Sequence, residues 1–219
     1  MPFDTLTLKE LKEFEKISPL LAGFPSRILA EGYKDFMDIL YDDIDKTIYQ
    51  IEENPELRQN DKEDRLTIDI KNQLRCMGYD ASHDSKIGGH ADLVVRKNNF
   101  LWIGEAKIFH GGYDHIWEGF LQLSTRYSTG DSNQKDGGIF IYIRHQNANL
   151  ILENWKEKLS EKELPNYICI PCKKRDSSFF TSHTHEGSGQ NFKIRHMPVI
   201  LYFQPQDKSA INKKKAKLD

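Results

Sequence analysis

Apolar positions recur at helical spacing through the early part of the chain and at strand spacing through its middle and end. Thr7-Leu8-Lys9-Glu10 is a capping-box pattern that opens a short helix, Leu8 to about Ile17, ended by Ser18-Pro19. A longer helix is predicted from about Ser26 to Ile51, with Phe36, Met37, Leu40, Ile44, Ile48 and Ile51 as its buried stripe. Asp35, Asp38, Asp42, Asp43 and Asp45 fall largely on the remaining face. Asn60 and Glu63 mark the start of a third helix that runs to Gly78 and buries Leu66, Ile70, Leu74 and Met77.

Strand signals follow. His90 to Arg96 and Phe100 to Ile108 are β-rich runs around an Asn98-Asn99 turn, and asparagine tolerates the positive φ that tight hairpin turns need. After His110-Gly111-Gly112 comes a predicted helix over Asp114 to Tyr127, packed through Ile116, Trp117, Phe120, Leu121, Ser124 and Tyr127. Gly137 to Arg144 reads as a buried strand and Asn149 to about Glu161 as an amphipathic helix. Tyr167 to Pro171, Ser178 to Ser182 and Phe192 to Phe203 read as further strands. The order predicts an α/β fold, a mixed sheet flanked by helices.

Length and charge refine this picture. The 219 residues suit one domain, read as an N-terminal helical segment over 1–57, a main domain over 58–207 and a basic tail over 208–219. The net charge of −2 hides an asymmetry, since residues 1–60 carry 13 acidic and 7 basic side chains, and the remainder 20 and 24. A nucleic-acid surface must therefore be local and lie in the later part. Three cysteines are too few for a disulfide scaffold, and no membrane-length apolar run or signal sequence is visible, so the expected location is cytoplasmic.

The chemistry concentrates in the hairpin. Asp92, Glu105 and Lys107 interrupt apolar strands where Val or Ile would be ordinary. Glu105 and Lys107, two apart, share a face. If Lys97 pairs with Phe100, outward counting sets Asp92 opposite Glu105, with Cβ atoms about 4.5–5.5 Å apart. Two facing carboxylates repel unless a cation lies between them, and a divalent metal with oxygen ligands suits that place. Glu63 continues the buried stripe of its helix and is the further acidic candidate, against the plainer reading that it only caps the helix.

Glu63, Asp92, Glu105-Ala106-Lys107 and Gln122, taken in this order, resemble the PD-(D/E)XK nuclease superfamily, and the resemblance covers about Asn60 to Arg144. Acid-x-Lys also occurs at Glu10-Leu11-Lys12, Asp69-Ile70-Lys71 and Asp84-Ser85-Lys86, but only the copy at 105–107 sits in an apolar β-run. Ala91 stands where the motif has proline, and Arg126 where related chains have tyrosine. The resemblance implies a restriction-endonuclease-like fold and a Mg²⁺-dependent DNA endonuclease, with Mn²⁺ as a substitute, serving bacterial defence or DNA processing. It implies Asp92, Glu105, Glu63 and the Ala106 carbonyl as metal ligands, Lys107 and Gln122 as catalytic partners, and Arg126 as a phosphate contact.

Other readings stay open. The same site could cut RNA, act as an exonuclease, or be silent in a binding module. Cys169, Cys172, His183 and His185 have zinc-ligand chemistry without finger spacing, and the plainer reading of buried thiols and surface histidines is preferred. The N-terminal helices either pack on the domain or form a homodimer or partner surface.

Overall fold

The computed structural model describes residues 6–207, so the basic tail read over 208–219 lies outside the described residues. Along the described residues run six α-helices and nine strands, in this order: α1 (Leu8–Phe14), α2 (Phe24–Leu29), α3 (Tyr33–Glu52), α4 (Glu63–Cys76), β1 (Asp80–Ser82), β2 (Ser85–Lys86), β3 (His90–Ala91), β4 (Leu93–Lys97), β5 (Phe100–Ile108), α5 (Asp114–Leu121), β6 (Asp136–Ile143), α6 (Ala148–Ser160), β7 (Ile168–Pro171), β8 (Phe179–Thr184) and β9 (Asn191–Ile200). Seven strands form one mixed sheet in the order β1-β4-β5-β6-β9-β8-β7, while β2 and β3 pair as a separate hairpin. The chain is thus α/β, with β6 at the centre, parallel to both β5 and β9.

Alternation along the strands builds two apolar layers. Val95, Trp102, Phe140 and Met197 pack under α3 and α4, where they meet Leu40, Ile44, Leu66 and Ile70. Val94, Ile103, Ile139 and Ile194 point the other way, toward Ile116 and Phe120 of α5 and Trp155 of α6. The long helix α3 therefore packs on the sheet, whereas Phe14, Ile17, Phe24 and Ile28 of the preceding stretch remain exposed. Among the described residues, no helix is long and apolar enough to cross a membrane.

Three local expectations are corrected. The predicted Ser26–Ile51 helix is two helices, because Gly32 takes an extended ψ of 154° as the N-cap of α3. Lys62, not Asn60, is the N-cap of α4. The helix from Asp114 is α-helical only to Leu121, and Gln122–Tyr127 continue it as a π-turn. Asp43 and Asp45 of α3 are buried. Asp43 accepts from Arg27 Nη1 at 3.0 Å and from Tyr79 Oη at 2.9 Å.

Asp45 answers a buried cation. Arg195, 1% exposed, donates Nη2 to Asp45 Oδ2 at 2.7 Å and Nη1 to the Tyr41 carbonyl at 3.2 Å. Removing one partner of such a pair strands the other in the core and costs about 3–5 kcal/mol. Asp45→Ala is expected to lose about that much in urea denaturation, and a loss under about 1 kcal/mol would contradict the pairing.

Candidate active site

The hairpin register matches the sequence reading at its turn end. Lys97 pairs with Phe100, Asn98 takes a φ of 55°, and the ladder runs to Leu93 opposite Gly104. There it stops. Asp92 does not pair across from Glu105 as the counting predicts, because the strand is interrupted at Asp92 and His90–Ala91 pair with Ser85–Lys86 instead.

Leaving the ladder at Asp92 uncovers half of one edge of β5. The residues pointing to that edge still carry backbone N–H donors that burial obliges to pair. Two carboxylates take them. Asp92 Oδ2 accepts from Ala106 N–H at 2.8 Å, and Glu63 Oε2 accepts from Ile108 N–H at 2.8 Å. Glu63 is the first residue of α4, and a buried contact between Thr67 Oγ1 and Tyr142 Oη at 3.0 Å ties that helix to β6.

Glu105 and Lys107 share the α5 face, as their spacing requires, and are 2% and 7% exposed. Lys107 Nζ donates to Glu105 Oε1 and lies 3.7 Å from Glu63 Oε1 and 3.8 Å from Asp92 Oδ2. Three carboxylates thus converge on one ammonium, an excess of two negative charges in a largely dry place. The consequence falls on the most buried acid. Burial first, then Asp92, push the Glu105 carboxyl up to about 8 against the pull of Lys107. Burial also pulls Lys107 down, but Glu105, Asp92 and Glu63 together outweigh it and keep the ammonium above its ordinary value. Glu105 Oε2 is buried with no hydrogen-bond partner.

α5 closes over this cluster through a glycine. A Cβ on Gly119 would stand 3.1 Å from Glu105 Cγ and from Lys107 Cε, closer than side chains ordinarily pack. Gln122 opens the π-turn beyond it, with Oε1 buried and unpaired, and π-turns recur at functional sites. Arg126 is exposed, and its Nε donates to the Gly88 carbonyl at 3.1 Å. Gly88, at φ +65°, lies so close that a Cβ there would be 2.1 Å from the Arg126 carbonyl oxygen. With Tyr127 Oη donating to the His90 carbonyl at 2.9 Å, these contacts fasten the β2–β3 hairpin beside Asp92.

Two histidines border the cluster that residue patterns did not single out. His83 Nδ1 is 2.6 Å from the Asp92 carbonyl, and His115 Nε2 lies 3.7 Å from Glu63 Oε2. His90, whose Nδ1 bonds Asp84 Oδ1 at 2.7 Å, is exposed. The four zinc-type residues do not gather. Cys172 accepts from Arg195 on the α3 side, whereas His183 packs against Phe120 on the α5 side and Cys169 is exposed on edge strand β7.

The donor set at β5 is all oxygen, which suits a hard divalent cation, and the excess charge and the orphaned Glu105 oxygen favour one. Among the described residues, no group of three or more His, Cys, Asp and Glu side chains is arranged so as to hold a metal ion. Comparison of the chain with protein-family models, curated proteins and solved structures returned no match.

Glu105 makes the cluster costly to fold. Its folded-state value near 8 lies above the ordinary 4.5, so the penalty is absent below about 4.5, grows as pH rises and is complete above about 8. In metal-free buffer Glu105→Gln is expected to be more stable than wild type by about 2–3 kcal/mol at high pH, with little difference at low pH. Urea denaturation at both ends of that range checks it, and a variant no more stable than wild type at high pH contradicts it.

Proposed function

We propose that this chain is a metal-dependent nuclease with a restriction-endonuclease-like arrangement, Glu63, Asp92 and Glu105 holding Mg²⁺ or Mn²⁺ and DNA as the substrate. One observation carries the reading: carboxylates from a helix terminus, a strand break and a strand interior meet a single ammonium at the open edge of β5. A core needs no such charge, and a phosphodiester site does.

The Ala106 carbonyl leaves its strand on the same edge as its N–H and adds a neutral oxygen to the ligand set. When bound, the cation polarises the scissile phosphate and acidifies a water. The rest falls to the chain. Lys107, held protonated by its acidic neighbours, orients the water and stabilises negative charge growing on the phosphate. Gln122 supplies its unpaired amide oxygen to that water or to the substrate backbone, and Arg126, exposed beside the hairpin, contacts a flanking phosphate.

Cleavage of supercoiled plasmid, linear duplex, single-stranded DNA and RNA, each with Mg²⁺, Mn²⁺ or chelator, tests this. Wild type is expected to cut DNA only with metal, and Lys107→Ala to lose about 10²–10³-fold. Preference for RNA or for strand ends would reassign the substrate within the same chemistry. Equal cleavage by wild type and Lys107→Ala, or none by wild type on any substrate, would sink the proposal.

A further inference from the structure

A second cavity lies away from the carboxylate cluster, at the opposite end of β6. Its volume is about 610 Å³, within the usual range of small-molecule sites, and it opens between the start of α3, the loop before β6, and β8–β9. Its walls belong to the α3 layer, while Glu105 and Lys107 project toward α5. Nothing in the proposed nuclease chemistry uses it.

Three kinds of group share it. Tyr33 and Phe180 supply flat aromatic faces, Lys34, Lys135 and Lys193 supply ammonium groups, and Asp38, Asp131 and Asp136 supply carboxylates. The placement is built by the fold. Asp136 starts β6 directly beside Lys193 of β9, and its backbone N–H donates to Tyr33 Oη at 3.0 Å. The ammonium of Lys193 stands 4.0 Å from the centre of the Phe180 ring, and that of Lys135 stands 5.8 Å from the centre of the Tyr33 ring. Lys34 is already committed to Asp38, at 2.5 Å, which leaves Lys135 and Lys193 as the cations free to meet a ligand.

Each simple ligand fails one part of this wall. An inorganic anion gains the lysines but meets the carboxylates and leaves two aromatic faces bare. An organic cation gains Asp136 and the rings but must drive two ammonium groups off those rings, is repelled by them and offers them no partner. A flat ring with amino donors on one edge and an anionic arm satisfies all three at once. We propose that this cavity binds a nucleoside phosphate whose base bears an exocyclic amino group. The phosphate draws Lys135 and Lys193 off the rings they cover, the base lies against Tyr33 and Phe180 in their place, and its amino group donates to Asp136. The inference is independent of the nuclease reading.

The same chemistry is offered by a free mononucleotide and by the phosphorylated end of a strand. Calorimetric titration of the full-length protein with CMP, UMP, cytidine, inorganic phosphate and a 5′-phosphorylated oligocytidylate separates these. CMP is expected to bind at least about tenfold more tightly than UMP, cytidine or phosphate alone. Asp136→Asn should abolish the preference for CMP over UMP, and Lys193→Ala should weaken CMP about tenfold while leaving cytidine unchanged. Lys107→Ala should bind CMP as wild type does. Tighter binding of the oligonucleotide than of CMP that Lys193→Ala removes and Lys107→Ala does not assigns the strand end, and equal or weaker binding assigns the free nucleotide. Oligonucleotide binding that Lys193→Ala leaves intact belongs to the carboxylate cluster and speaks against the strand end.

Lys193 is only half-buried, so circular dichroism and thermal melting should show its alanine variant folded. Hydrogen exchange on wild type reads the site without any substitution, with CMP-induced protection expected at residues 130–136 and 190–193. The proposal is overturned if wild type binds no nucleotide at millimolar concentration, or if phosphate alone binds as tightly as CMP. It is equally overturned if folded Lys193→Ala keeps full affinity, or if protection appears elsewhere.

Discussion

Two backbone N–H groups, those of Ala106 and Ile108, organise this protein's polar centre. β4 joins the sheet only at Leu93, and no neighbouring strand reaches them on that side. A sheet edge left so would be costly in the interior. The chain solves it with side chains: Asp92 from the strand break and Glu63 from the head of α4 accept the two donors. That solution concentrates acid where Glu105 and Lys107 already project from the same strand, and the charge imbalance follows. The edge repair and the proposed chemistry are thus one arrangement seen twice: Glu63 holds the backbone through Oε2 and faces Lys107 with Oε1, while Asp92 meets both through Oδ2.

The surrounding elements protect this geometry. Gly119 lets α5 approach Glu105 and Lys107 more closely than side chains ordinarily pack, and the π-turn that follows carries Gln122 away from ordinary helical register. The clasp between Gly88 and Arg126 fixes the β2–β3 hairpin, and with it the position at which Asp92 leaves its strand. Deep in the other half of the sheet, Arg195 and Asp45 hold β9 to α3.

Much of this was legible in the residues because period and turn chemistry are local. The alternation of β4 and β5, the Asn98 turn and the shared face of Glu105 and Lys107 follow from spacing alone. Glu63 was legible as an acid on the inward face of a helix. Asp92 was legible as a site residue but not in its manner of pairing, since a strand break depends on where the β2–β3 hairpin docks. Asp43 and Asp45 fall outside the apolar stripe in sequence, and the partner that buries Asp45 is Arg195, 150 positions away. His83 and His115 carried no pattern, because a lone histidine is ambiguous until its neighbours are placed. Gly119, alone in an apolar helical stripe, was the available signal of a close approach.

The open edge of β5 is proposed as a divalent-cation site. A crystal structure determined in Mn²⁺, with the metal located by its anomalous scattering, tests it most directly. The account predicts a peak within about 2.0–2.6 Å of oxygens from Asp92 and Glu105, with the Ala106 carbonyl beside it. A map from saturating Mn²⁺ with no peak there, and Lys107 still bonded to Glu105, would contradict it.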